Sequence, residues 1–374
     1  MNKRTHQLNI QGPDTLSLDL VEYPSLGSKD LIVGIKFCGI CGTDLSYLSS
    51  GGLIGPQNEP MPIGHEMSGI VIEIGSDIKD INVNDRVAIN PMGNNNSIGN
   101  GGSEGGMTNF LLVKNAVLNE SIFKLPDDMS FEIGALIEPF AVALRTINRS
   151  NLNIDSKVAV CGLGCIGFSV VTLLSYFGYK NIIAVDLHNL RVINANGLNA
   201  VKAYDDWVSF ADALKEFHGE EEVFGVPVSN TDVFIDCTGN HKLISDIINF
   251  SKKHTRIVIT GLHQEQALID FRSVLMRELE ITCSMAYSNK EFLESLKILS
   301  KDMIDQTKFI SHKCKIQDHK KAFELGGLVS GEHGIGLIKD ADSIHHLGEI
   351  GIILLLFFIG MEISLPELVK QLLR

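Results

Sequence analysis

Three side chains of different donor type fall close together early in this 374-residue sequence: Cys41 in CGTD, then His65 and Glu66 in GHE. A thiolate, an imidazole and a carboxylate make a set that a zinc ion accepts readily. A further carboxylate, Glu138, follows in EPFAVAL. The expectation is one catalytic zinc surrounded by Cys41, His65, Glu66 and Glu138. Asp44 is placed to hold the imidazole by its other nitrogen. Thr43, next but one to Cys41, could pass a proton from the reacting hydroxyl to water. Cys38 and Cys41 also form a CxxC pair. A zinc knuckle would need a second such pair, and none lies nearby; a redox dithiol normally opens a helix, whereas this pair ends an apolar strand. Cys41 is therefore read as the ligand and Cys38 as a packed strand residue.

A second constellation fits a dinucleotide. GLGCIG carries Gly162, Gly164 and Gly167 after an apolar strand and before a helix, and Asp186 ends the next strand. The glycines allow a tight turn and close approach of a pyrophosphate to the helix amino terminus, whose free N–H groups favour negative charge. Asp186 can accept hydrogen bonds from both ribose hydroxyls and would repel a ribose phosphate, so NAD is expected over NADP. Ile166 and Arg191 complete the candidate cofactor set. Cys165, inside the turn, is read as inert.

These residues need elements to position them. CGTD and GHE read as strand-to-loop junctions, where side chains turn out of a sheet towards a cleft. Pro139 suits the first position of a helix, so Glu138 is expected just before a helix begins. LIVGIKFCG, SGIVIEIGS and DRVAIN read as strands of a mostly β region. NPMGNNNSIGNGGSEGG, rich in Asn and Gly, cannot sustain a helix and reads as a flexible surface loop. FLLV is strand-like, and KLPDDMS opens a helical stretch through Phe131 to Ile147. From Lys157 the pattern becomes strand, turn, helix, strand: KVAVC, NIIAVD, TDVFIDCTG, RIVITGL and ELEITC are apolar strands. Asp206 to His218, DIINFSKK and KEFLESLKILSK are helix candidates between or after them. Such alternation predicts an α/β fold with a parallel sheet covered on both faces.

Composition narrows the function. The length implies two or three domains. With 32 Lys and Arg against 45 Asp and Glu, the formal charge is -13, so a nucleic-acid backbone is repelled and no such partner is expected. MNKRTHQLNI has no apolar stretch after its basic residues, which argues against a secretion signal and for a cytoplasmic location. Seven cysteines over this length are expected to be free thiols rather than a disulfide framework.

CGICGTD, PIGHEMSG, SEGGMTNF, ALIEPFAVAL and CGLGCIG together resemble the medium-chain zinc-dependent alcohol dehydrogenase family, in the same order and at similar separations, over roughly residues 1–327. The nearest branch is that of polyol, butanediol and threonine dehydrogenases. The resemblance implies a GroES-like, mostly β catalytic domain (1–150), a Rossmann domain with a doubly wound parallel sheet that binds NAD (151–287), and a return to the catalytic domain (288–339). It also implies reversible oxidation of a secondary alcohol or polyol to a ketone by hydride transfer to NAD, and a homodimer or homotetramer with no membrane partner. By the same resemblance Cys41, His65 and Glu66 match the metal ligands and Glu138 a carboxylate that binds the metal or holds its water. Thr43 matches the proton path; Gly162, Gly164, Gly167 and Asp186 match the cofactor loop. Two departures stand out: no cysteine lies between Cys41 and Cys161, so a second, structural zinc is expected to be absent; and Ser46 stands where relatives often carry His.

The tail departs too. SGEHGIGLIK resembles the carboxyl end of flavin-linked oxidases and HLGEIGIILLLFFIGMEISLPEL a fragment of cation-proton antiporters, which points to a join of unrelated segments near Leu328. GIGLIK is a candidate closing strand of the first domain. Residues 340–374 read as an atypical apolar tail, either a buried or partner-facing helix, a membrane-surface segment, or a segment without native packing. A different class of function follows if that tail prevents domain closure: a non-catalytic NADH-binding protein, associated with a membrane surface.

Overall fold

Apolar side chains in the parallel strands alternate between two cores, and this alternation fixes the layers. Val158 and Val160 enter one buried cluster with Ile182, Ala184, Val233 and Ile235. Ala159 and Cys161 enter another with Ile183, Val185, Phe234 and Ile257. A strand buried on both faces must be apolar at every position, which is why these stretches read as unbroken runs. A computed structural model describes residues 4–301, 304–325 and 328–330. Its six-stranded sheet runs Val201–Tyr204, Asn181–Val185, Lys157–Cys161, Val233–Asp236, Arg256–Ile259, Glu280–Cys283. All five pairings are parallel. The chain starts at Lys157–Cys161 and winds outwards in both directions, so the crevice beside that strand's carboxyl end is the topological switch point.

The rest of the described chain is built mainly on antiparallel strands, with Lys313–Lys315 pairing parallel to Leu328–Ser330. A seven-stranded sheet has Leu31–Gly39 at its centre, flanked by Glu66–Ile74 and by Leu328–Ser330, with Phe110–Val113 also pairing to it. The pairing of Val329 with Cys38 brings the chain back from the parallel sheet to the first one. The candidate strand GIGLIK and the apolar tail lie outside the described residues. A hairpin of Arg4–Gly12 and Thr15–Glu22 adds a small third sheet with Met61–Pro62.

One element joins the two main sheets. The Phe131–Ser150 helix, capped by Ser130 Oγ accepting from Ile133 N, packs in one core with Ala88 and Phe123 of the antiparallel sheet and with Val158, Val160 and Ile235 of the parallel sheet. Here the sequence expectation needs correction. Glu138 and Pro139 lie in the middle of this helix, not at its start. A proline inside a helix removes one hydrogen bond and costs about 3 kcal/mol. Burial overrides that: 14 of the 20 residues are buried, and each large apolar side chain among them contributes roughly 1.5–3 kcal/mol. The hairpin of Glu220–Val223 and Val226–Ser229 was not anticipated either; its turn residues, Phe224 and Gly225, both take positive φ, and only Gly225 signals that geometry.

Candidate metal centre and cofactor crevice

Cys41 lies two residues beyond the Leu31–Gly39 strand, in extended conformation at the amino-terminal cap of the Gly42–Ser50 helix. The junction thus runs from strand to helix, and the helix orients the thiol. Asp44, fully buried, reaches back so that its Oδ2 accepts from Cys41 N at 2.9 Å. Its Oδ1 accepts from Gly64 N at 3.2 Å and stands 3.4 Å from His65 Nδ1. One carboxylate therefore ties together the two segments that carry Cys41 and His65. The approach to His65 is a charge contact rather than an aligned hydrogen bond, and Nδ1 finds no hydrogen-bond partner.

The bend at Gly64 has φ +92°, and a Cβ there would press on Met107 N and Cys38 Sγ, so only glycine fits. The Asn/Gly stretch supports this bend: Gly106 N donates to Gly64 O at 2.8 Å and Met107 N to Ile63 O at 3.0 Å. It is a buttress here, not the flexible connection expected from composition. Glu66 begins the next strand opposite Gly39, where any side chain would overlap its carboxylate.

Donor atoms of Cys41, His65 and Glu66 all lie within 4.8 Å of one another. Glu138 lies outside that group, buried at 8% exposure, near enough that its charge acts on Glu66. Burial, then Glu138, pushes the Glu66 carboxyl up to about 8. Burial followed by Glu66 raises the Cys41 thiol. At His65 burial disfavours the cation, but Asp44 and Cys41 outweigh it and the imidazole is driven well above its ordinary value. A thiol, an imidazole and a carboxyl crowded together, each shifted, with Asp44 on the Nδ1 side of the ring, fit a divalent cation as the missing partner. Thr43 is half-buried in the first turn of the helix that Cys41 caps, and Ser46, one turn on, accepts from Gln264 Nε2. Cys38 is a packed core residue at 1% exposure.

The cofactor candidates gather at the switch point. Gly162 has φ +88° with Cys237 and Thr238 pressed against it, and a Cβ on Gly167 would overlap Gly162 O. Gly164 caps the Cys165–Tyr176 helix and faces open space, as a backbone that receives a diphosphate must. Ile166 is half-buried against the core. Asp186 Oδ2 accepts from Leu163 N at 2.7 Å and pairs with Arg191 Nη1 at 3.3 Å; Oδ1 accepts from His188 N at 2.8 Å. Cys165, exposed at the start of the Cys165–Tyr176 helix, is not remote from the candidate metal group: the charges of Glu66, Cys41 and Glu138 all act on its thiol. A surface cavity of about 760 Å³ along the Asn/Gly stretch shares no residue with either cluster.

Residues 27–127 match the alcohol dehydrogenase GroES-like domain, and 165–301 match the zinc-binding dehydrogenase domain. The chain is 31% identical to an L-idonate 5-dehydrogenase of Vitis vinifera over 84% of this chain and 89% of the relative. The chain belongs to the zinc-binding alcohol dehydrogenase family. A second member, D-xylulose reductase of Saccharomyces cerevisiae, is 27% identical over 84% of this chain and 92% of that one. Among solved structures of the family, 2R,3R-butanediol dehydrogenase from Bacillus subtilis superposes with a TM-score of 0.74 at 25% identity, covering 87% of this chain and 99% of that chain.

One residue near the candidate metal group of this dehydrogenase escaped sequence reading. Tyr287 and Glu138 act on each other, and the charges of Glu66 and Cys41 also bear on Tyr287. It sits in no motif and far along the chain, so nothing in its surroundings marks it.

Proposed function

We propose that this dehydrogenase oxidises a secondary alcohol, diol or polyol to a ketone, reversibly, with NAD as hydride acceptor and a single zinc held by Cys41, His65 and Glu66, with Glu138 beside them. The convergence of three unlike donors within 4.8 Å carries this reading. Zinc held there would supply Lewis acidity towards the alcohol oxygen, and NAD bound in the crevice would serve as the hydride acceptor. The chain's own residues do the rest. Asp44 fixes the His65 ring; Thr43 offers a hydroxyl for the substrate proton; the Gly162 to Gly167 turn receives the diphosphate, and Asp186 the ribose. Asp186 already holds Leu163 N and His188 N, which orients its carboxylate before the ribose arrives. The names of the relatives, an idonate dehydrogenase, a xylulose reductase and a butanediol dehydrogenase, favour polyols and diols as substrates.

The same proposal divides the chain at about 150 and 287 and takes it back to the first sheet in 288–339. One zinc rather than two is inferred from the lack of any cysteine between Cys41 and Cys161. A homodimer or homotetramer is supported by exposed apolar side chains next to the edge strand Glu280–Cys283, namely Phe271 and Leu275 on the preceding helix and Met285 after the strand. Seven free cysteines favour a reducing, cytoplasmic setting. Among the described residues no helix is long and apolar enough to cross a membrane. A panel of polyols, diols and threonine with NAD, run with and without a chelator and paired with metal analysis, tests this reading. Turnover that survives complete metal removal would refute it.

A further inference from the structure

Gln264 and Ser46 stand 218 positions apart and on different halves of the described fold, yet Gln264 Nε2 donates to Ser46 Oγ. Ser46 lies in the Gly42–Ser50 helix, which Cys41 caps. Gln264 follows the parallel strand Arg256–Ile259, at the carboxyl end of the sheet, where ligands of such folds bind. Both ends of the bond are braced. His263 Nε2 stands 2.8 Å from Oδ2 of Asp236, a fully buried carboxylate, and Glu265 Oε2 stands 3.5 Å from His241 Nδ1. Thr260 N and Gly261 N both donate to Asp236 O, at 2.8 and 2.9 Å. A Cβ on Gly261 would overlap Gly239 N, and one on Gly239 would overlap Leu262 O, so the loop is stacked on the end of the sheet without slack. On the other side Asp44 ties the helix of Ser46 to Cys41 N and Gly64 N.

The bond itself is exposed to solvent, although its two arms are held in place. Water can replace either partner, so breaking it strands no buried polar group. A buried bond in that place would lock the halves together; this one can open and re-form. We propose that Gln264 is a positioning residue for the dinucleotide: its bond to Ser46 closes the cleft over bound cofactor, opens to let it leave, and so sets how long NADH stays. Opening and product release of this kind pace many enzymes. The proposal rests on the NAD-dependent reading given under Proposed function.

Stopped-flow release of NADH from the full chain, followed by the cofactor's fluorescence, tests it. Q264A should release NADH about three- to tenfold faster than the wild type, the scale of one hydrogen bond, and KM for NAD should rise by a similar factor. S46A removes the same bond from the other half and should speed release to the same degree. The double variant should be no faster than either single one, because the two partners of one bond do not act additively. A merely local disturbance of the loop would not be reproduced from the helix. Wild-type release in either single variant would overturn the proposal, as would a double variant whose acceleration is the product of the two single ones. Failure of the wild type to bind NADH would remove the cofactor reading and this proposal together; firm NADH binding with release untouched by Q264A would remove the latch alone.

Discussion

His65 and His218 are both nearly sealed from solvent, at 5% and 2% exposure, and their imidazoles are driven in opposite directions. His218 ends the Trp207–His218 helix beside the parallel sheet, with Nδ1 on Thr231 Oγ1 at 2.9 Å. Burial dominates there and pushes the ring down to about 4. At His65 burial acts in the same sense, but the Asp44 carboxylate and the Cys41 sulfur overcome it. Burial alone thus makes a neutral structural histidine; a fixed negative partner in the same darkness makes a site. The antiparallel half of the molecule gathers such partners around its bends, whereas the parallel half spends its buried polar groups on its own loops, as Asp236 does with Thr238 and His263.

The comparison breaks most visibly at the proposed ligands. Cys41→Ala should abolish metal uptake and lower kcat/KM by more than about 1,000-fold, a loss of several kcal/mol of charge stabilisation; metal content and steady-state rates measure it, and a metal-loaded, active variant would erase the distinction between the two halves. Next comes His218. Its folded value lies below the ordinary 6.5, so the unfolded chain binds the proton first, and stability present above pH 6.5 is lost as pH falls towards 4. A shift from 6.5 to about 4 corresponds to roughly 3 kcal/mol. Urea unfolding of wild type and His218→Gln across that window should show the slope in the wild type only; equal slopes would mean that burial does not set this ring. Smaller again, Asp44→Asn should weaken metal affinity about 10- to 100-fold in chelator competition while the fold persists. Retained affinity would show that the His65 ring needs no fixed charge. Least of all, Asp186→Asn should weaken NAD binding about tenfold, the scale of one hydrogen bond to a charged group, with NADP less affected; fluorescence titration of both cofactors reads the difference.

Much of this architecture was legible in residue order. GLGCIG after KVAVC and before a helix has its strand, turn and helix within a single stretch, so local rules suffice. CGTD and GHE were legible for a different reason: few residue combinations offer sulfur, nitrogen and oxygen donors so close in sequence. Glu138 was legible as a carboxylate but misplaced within its element. The local signal, Pro139, favours a helix start, and only the packing of the Phe131–Ser150 helix between two sheets reveals why a mid-helix proline is tolerated. The Asn/Gly stretch likewise reads as loose until Gly106 is seen to brace Gly64.

The amino-acid sequence by itself determined the chemistry on offer, the parallel sheet and the cofactor turn, because donor type, apolar runs and glycine spacing act over a few neighbouring residues. Only the tertiary structure decided that three donors close into one group while Glu138 stands aside, that Asp44 binds two segments at once, and that Tyr287 arrives at the same place. Those relations depend on sheet register and core packing between residues far apart in the chain, and no local pattern encodes the direction in which a side chain finally points.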